Sequence, residues 1–429
     1  MTSTAGIPVI RPDDTASIRA IKHSHPGDAL SSRQRLVYVL ILGALTALGP
    51  FTIDLYLPAF PVLESELGVS PAAVQLTLTG TMIGFGLGQL IVGPWSDKVG
   101  RRMPLILATL VHVLACVGAA MASDIFVLGG FRLLQGFGAA AGGVVAMAMV
   151  RDLFGGKPLV KMLSRLALVN GLAPVLAPVI GSQLLLVMDW RGIFWVLAAY
   201  GAVVIVAVSL WIVETRPKSA RLASGEKTVL QRFKTVLSDR TFVGIAIVGG
   251  MTFTGLFSYL SSSTFLFQGT YGFTAQQYGL LFAANSIGVI IGVQTSSYLM
   301  RTVIGPQWIL TITTGMMLML GISIMVLDLT GAGLWGTVIP LWFFITMCGF
   351  SFPCVQVIAL NGHGQEAGTA ASLLGAVNFG LAGLISPVVG MLGVSTAAPM
   401  GAVMSVTALV SIIALWFIVR PSRVPALTA

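Results

Sequence analysis

The sequence predicts an all-α polytopic membrane protein, with twelve transmembrane helices in two pseudo-symmetric six-helix bundles. Three observations carry this. Of 429 residues, 56% are apolar and only 9% are charged, against about 25% charged in a soluble domain. Apolar runs near the roughly 20 residues needed to cross a bilayer recur along the whole chain. Threading those runs through a membrane leaves 22 of the 24 Lys and Arg on one side.

The spans read as 36–60, 72–95, 103–122, 125–150, 160–187, 192–213, 241–267, 275–299, 306–327, 334–357, 368–393 and 396–419. Their even number puts both ends of the chain on the same side. Only Arg191 falls on the other side, and Arg132 falls inside a span. The positive-inside rule then makes the basic side cytoplasmic, termini included. A frame wrong by one span would destroy the asymmetry, so the basic residues also support the span count. The net charge of +9 follows from this topology and from attraction to the anionic inner leaflet, not from nucleic acid binding. The 50 glycines suit helices that approach closely in a membrane.

Residues 1–35 are polar and hold three prolines, which reads as a disordered cytoplasmic tail and not as a cleavable signal. An N-terminal bundle over 36–213 is expected, then a cytoplasmic linker over 214–240, a C-terminal bundle over 241–420 and a short cytoplasmic tail, 421–429. The bundles resemble each other. GLAPVLAPVIG at 171–181, in the fifth span, matches GLAGLISPVVG at 380–390, in the eleventh, at six of eleven positions. Parallel repeats of this kind place a central site between two halves that rock against each other. Within the repeat, Gly171, Pro174, Pro178 and Gly181 are expected to bend the fifth helix and let it pack closely.

Two local patterns stand out. GPWSDKVGRR, residues 93–102, joins spans two and three. Gly93 and Pro94 would end the helix, Asp97 can accept from Arg101 or cap a helix, Gly100 suits a tight turn, and Arg102 completes a basic pair. Such a loop fits a clasp that gates the cytoplasmic side. The second pattern is the pair of membrane charges, Asp54 and Arg132. A charge at mid-bilayer costs about 2.5–3.5 kcal/mol on the insertion scale, so each needs a reason to be there.

GPWSDKVGRR resembles the signature loop of the major facilitator superfamily, and the resemblance covers about 36–420. FRLLQGFGAA around Arg132 resembles that family's fourth-span motif. GLAPVLAPVIGS resembles its fifth-span antiporter motif, with Ala177 and Ser182 where glycines are usual. ALTALGPFTIDLYLPAFPVL and WRGIF at 190–194 look like the bicyclomycin/chloramphenicol-resistance branch of drug:proton antiporters. The resemblance implies the major facilitator fold, a monomer in the bacterial cytoplasmic membrane, and alternating access. It further implies exchange of external protons for a small amphipathic, phenicol-like drug. It assigns proton coupling to Asp54. Some members carry another acid two turns earlier, where this chain has Thr46.

Depth counting makes Asp54 and Arg132 partners. Asp54 is six residues from the external end of span one and Arg132 seven residues from that of span four, so each lies roughly 9–11 Å below the surface. Burial favours the neutral carboxyl and a nearby guanidinium favours the ionised one. Arg132 does not deprotonate, so it sets the field while Asp54 carries the proton. Expected substrate contacts are Asp54, Gln135, Met147, Asn170, Phe253 and Phe257, with Asn285 and Asn378 as further polar positions.

Enzymatic chemistry is not expected. His23 and His25 lie in the tail, His112 is alone in span three and His363 lies in a loop. No metal-ligand spacing, nucleophile triad or phosphate-binding loop is present, so no metal or other cofactor is expected and the proton gradient is the expected energy source. Cys116, Cys348 and Cys354 read as small core fillers. The alternatives left open are a proton-coupled transporter of a metabolite such as an amine or amino acid, and an uncoupled channel.

Overall fold

A computed structural model describes residues 26–216, 229–361, 363 and 366–424; the expected N-terminal tail up to residue 25, residues 217–228 of the linker and 425–429 lie outside them. Among the described residues, twelve helical stretches are long and apolar enough to cross a membrane, the seventh and twelfth extended by π-helical turns at Phe265–Thr270 and Ala414–Val419. They are α1 (Ser32–Asp54), α2 (Pro71–Val99), α3 (Arg102–Ala120), α4 (Ile125–Leu153), α5 (Gly156–Leu184), α6 (Trp190–Trp211), α7 (Arg240–Thr264), α8 (Ala275–Thr302), α9 (Pro306–Leu329), α10 (Gly333–Asn361), α11 (Ala367–Leu392) and α12 (Ala398–Ile413).

Local chemistry fixes many of the ends. Ser31 and Gln34 form a capping box on α1, as do Thr274 and Gln277 on α8. Asp124, Asp189 and Asp239 each accept from the first free backbone N–H groups of α4, α6 and α7. Such caps satisfy donors that hydrocarbon could not.

Three boundaries differ from the sequence reading. α1 begins at Ser32, inside the stretch expected as a disordered tail, after a 3-10 turn at Pro26–Ala29. The first span does not end at 60. After Asp54 the chain makes a short 3-10 turn (Leu57–Ala59) and a further helix (Phe60–Leu67), so the spanning unit is Ser32–Leu67. Pro58 and Pro61 occupy early helical positions, where a missing N–H costs nothing. Nor does α2 stop at Gly93–Pro94. It continues through both to Val99, and Gly100 ends it with φ 106°. One helix, Val229–Leu237, lies within the expected linker.

The bundles repeat one packing scheme. In the first, α2 and α3 pack on α4, α3 on α6, and α1 on α4 and α5. In the second, α8 and α9 pack on α10, α9 on α12, and α7 on α10 and α11. Adding six to each helix number converts one set into the other. The principal contacts between bundles obey the same symmetry: α2 against α11 and α5 against α8.

Packing is unequal at the two ends. Away from the basic residues, one buried cluster joins both halves, with Ile53, Tyr56 and Phe60 meeting Phe257, Phe265 and Tyr278. At the basic end there are two clusters. Tyr38, Val145 and Ile212 belong to one in the first half; Phe242, Cys354 and Val419 belong to one in the second, with Leu90 of α2 at its edge. A single face of α5 reports the change. Ala167 and Asn170 are exposed, Pro174 is half-buried, and Pro178 and Gly181 are buried. The halves are sealed at the end opposite the basic residues and part toward the basic end.

Candidate functional site at the sealed seam and the basic loop

Asp54 is the last residue of α1 and is buried within the joined cluster's level. Its Oδ1 has no hydrogen-bond partner. Its chain neighbours Ile53 and Leu55 share a buried cluster with Tyr259 and Tyr278 of the other half, two rings that carry hydroxyls. Those hydroxyls are held in place: Asn285 Nδ2 donates to Tyr259 Oη at 2.9 Å, and Ser263 Oγ pairs with Tyr278 Oη at 3.1 Å.

Arg132 is completely buried one helix away, but it does not pair with Asp54. Its Nη1 donates to the Thr52 carbonyl at 2.9 Å and to Gln135 Oε1 at 2.5 Å. The guanidinium lies 4.6 Å from the Tyr56 ring centre and 5.7 Å from that of Phe194, while Nε and Nη2 have no partner. The expected Asp54–Arg132 bridge is therefore absent. Arg132 reaches the turn that holds Asp54, and aromatic faces replace the carboxylate as its neighbours. Phe194 ends the WRGIF segment. Its Trp190 and Arg191 both bond Glu66, through Trp190 Nε1 at 2.9 Å and an Arg191–Glu66 ion pair, which fixes α6 to the extended first span.

Gln135 differs from expectation as well. Both ends of its amide are occupied, Oε1 by Arg132 and Nε2 by Cys116 Sγ at 3.0 Å. Its amide is engaged within the first half, holding Arg132 and Cys116. His112 Nδ1 lies 3.1 Å from the Gln135 carbonyl, and His112 Nε2 lies 3.4 Å from Cys116 Sγ. Thus Cys116 is part of a polar network and not a mere filler, and His112 is not alone. The sequence signal was available: His112 and Cys116 are four residues apart and share a helix face.

The other expected contacts separate. Asn170 is exposed on the face of α5 where the halves part. Met147 is half-buried against the first half's own cluster, four turns from Arg132 toward the basic end. Phe257 is buried in the joined cluster. Phe253 lies in a chain of rings that crosses between the halves: 4.8 Å to Phe257, 5.0 Å to Phe379 and, from Phe379, 4.6 Å to Phe85 of α2.

The antiporter-like repeat is unevenly used. A Cβ on Gly181 would lie 2.1 Å from the Leu55 carbonyl oxygen, so the missing side chain lets α5 touch α1 next to Asp54. A Cβ on Gly171 would meet nothing within 4 Å, which removes the expected packing role there. Pro174 and Pro178 sit inside one uninterrupted helix.

The loop after α2 forms a knot. Arg101 is buried and bonds Asp97 at 2.7 Å, Asp152 of α4 at 2.9 Å and Ser96 Oγ at 2.8 Å. Burial works against its charge, but Asp152 and Asp97 outweigh it and raise its proton affinity above the ordinary value. The Arg101 and Arg102 backbone N–H groups donate to Glu214 at 2.8 and 3.2 Å, and Arg216 approaches Asp97 at 3.6 Å. Asp152 and Glu214, which the sequence reading missed, are acids at the basic ends of spans four and six. Every named member lies before residue 217, so the knot ties together three ends of the first half. Gly93 is not a helix terminus but part of α2.

Comparison with known proteins agrees with this architecture. Residues 40–387 match the family model described as Major Facilitator Superfamily. The chain is 34% identical over 389 residues to the uncharacterized MFS-type transporter YdgK of Bacillus subtilis (strain 168), covering 90% of this chain and 96% of that protein. It is 31% identical to the bicyclomycin resistance protein homolog of Haemophilus influenzae, covering 90% and 97%. Among solved structures, the partially occluded inward-open xylose transporter XylE from E. coli superposes with a TM-score of 0.71 at 13% identity, covering 93% of this chain and 99% of that one. The chain is a multi-pass membrane transporter, not an enzyme; it belongs to the major facilitator superfamily, and its relatives are consistent with the drug:proton antiporter branch that its first span resembles.

Proposed function

We propose that the protein is a proton-coupled efflux transporter of the bacterial cytoplasmic membrane, with its basic face and both termini in the cytoplasm. It exchanges external protons for a small amphipathic drug, phenicol-like in size and polarity, by alternating access, and it works as a monomer. One observation carries the coupling: Asp54 is buried at the sealed seam with an unpartnered carboxyl oxygen, and Arg132 bonds Thr52 and Gln135 instead of it. An ionised acid there would cost several kcal/mol, so sealing the external side favours the proton-loaded form. When the seam opens, Asp54 meets external water and can exchange its proton. When the halves part toward the cytoplasm, drug binding and proton release compete for one state, which is all that exchange requires. Arg132, always charged, supplies a fixed field near that acid and donors for a polar substrate.

The Bacillus relative's name supports the transporter class, and the Haemophilus protein's name points to bicyclomycin resistance. The test is drug-driven proton movement in everted vesicles. The native chain is expected to alkalinise the lumen of acid-loaded everted vesicles on drug addition, because a lumenal proton leaves as drug enters. Asp54→Asn is expected to abolish that signal while leaving the protein folded. An Asn variant that exchanges protons at the native rate would sink the assignment. A susceptibility panel in a pump-deficient host names the drug class, and unchanged susceptibility to every compound would favour a metabolite substrate.

A further inference from the structure

The sealed seam is held by side-chain amides and hydroxyls that donate to backbone carbonyls of the other half. Gln75 Nε2 reaches Ser261 O at 3.0 Å, Thr79 Oγ1 reaches Gly383 O at 2.7 Å, Gln268 Nε2 reaches Pro58 O at 3.2 Å and Gln276 Nε2 reaches Ser182 O at 2.9 Å. One of these acceptors has a special origin. In a regular helix the Gly383 carbonyl would accept from the N–H of residue 387, four positions on. Residue 387 is proline, which has no N–H. The carbonyl of Gly383 is therefore free within α11, and Thr79 takes it.

The same face of α11 is shaped for α2. A Cβ on Gly390 would lie 2.3 Å from Gln75 Oε1, so the glycine makes room for that side chain. Ser386, between Gly383 and Gly390, is fully buried with an unpartnered Oγ. Gly383, Ser386 and Gly390 are spaced as one helix face, and the eleventh-span copy of the repeat supplies all three together with Pro387.

We infer that Pro387 creates the acceptor for the external gate: by leaving the Gly383 carbonyl without an intrahelical donor, it makes a docking point that Thr79 of α2 engages when the seam closes and leaves when it opens. This rests on the alternating-access reading and its orientation. It gives the α11 repeat a purpose distinct from a general bend. A carbonyl left open inside hydrocarbon is costly, so the closed seam gains a bond that the helix itself cannot supply. On opening, water replaces Thr79.

The test reads seam opening without substrate. Ser386→Cys, in a background lacking Cys116, Cys348 and Cys354, places a thiol inside the closed face. A membrane-impermeant maleimide is added to right-side-out and to everted vesicles. With Thr79 intact the thiol is expected to react slowly. Thr79→Val or Pro387→Ala is expected to raise the external labelling rate about two- to tenfold, the yield of one lost hydrogen bond. The double variant is expected to match the larger single effect, because both changes remove the same bond. Thr79→Ser, which keeps the hydroxyl, is expected to label at the native rate and guards against a folding defect. Unchanged labelling in both single variants, or fully additive effects, would overturn the inference. A rise confined to everted vesicles would keep the docking point but refute the proposed orientation, so the two readings fail separately.

Discussion

Replacing Gly181 with alanine adds one methyl group where α5 touches the carbonyl that follows Asp54. The new Cβ would lie 2.1 Å from Leu55 O and 3.0 Å from Leu55 C. Ordinary contact begins near 3.4 Å, so the two backbones must separate by roughly 1.3 Å. Neither atom can rotate away, since both belong to the main chain. Overpacking of this kind costs about 1–3 kcal/mol, and the better helix propensity of alanine returns about 0.5–1 kcal/mol. A net loss of about 1–2 kcal/mol is expected. Gly171→Ala is the internal control. It lies in the same repeat with nothing within 4 Å of its Cβ, so it is expected to be neutral or to stabilise by up to about 1 kcal/mol. Thermal survival in detergent, followed by fluorescence-detected size exclusion, separates the two, and drug efflux from cells reports whether the seam still closes. Equal effects of the two substitutions, or a Gly181→Ala protein as stable and active as the native one, would refute the close-approach argument.

Arg101→Lys keeps the charge but loses the fork that spans Asp97 and Asp152. It is expected to lower stability by about 1–3 kcal/mol, and Asp152→Asn added to it should cost little more; full additivity in thermal melts would show that the knot does not act as a unit. Gln135→Leu removes the 2.5 Å acceptor of Arg132 and the donor to Cys116. It should slow drug-driven proton exchange and destabilise by about 1–3 kcal/mol. Gln135→Glu should preserve stability yet still slow exchange, because a fixed carboxylate would then pair with Arg132; vesicle pH traces that match the native protein would count against it.

Much of the fold was readable because the spans are apolar runs, many of them closed by capping residues or by charge. The errors have a common physical cause. Pro61, Glu64 and Glu66 look like a loop, yet the proline sits where no N–H is required and Glu66 finds Trp190 and Arg191. Pro94 looks like a stop, but a membrane helix can run through proline when its surroundings satisfy the backbone. The site was half-readable. Asp54 and Arg132 announce themselves as charges in apolar runs, whereas their partners depend on helix rotation and tilt, which depth counting cannot supply. Thr79 and Gln75 carry no unusual local signal. Thr79 finds its acceptor at Gly383, four residues before Pro387, and Gln75 finds its own at Ser261, both far along the chain.

Arg132, which has no carboxylate partner, also has an electrical consequence. Its charge is permanent and Asp54 is neutral when proton-loaded, so under the proposed exchange the loaded core carries one positive charge and the unloaded core none. Reorienting the loaded core moves that charge through the membrane field, worth about 2.3 kcal/mol per 100 mV for a full traversal. An inside-negative potential would therefore draw the loaded carrier toward the cytoplasm even without a pH difference. Exchange of one proton for a neutral drug is then electrogenic, and collapsing the voltage with valinomycin and potassium should slow efflux at constant pH.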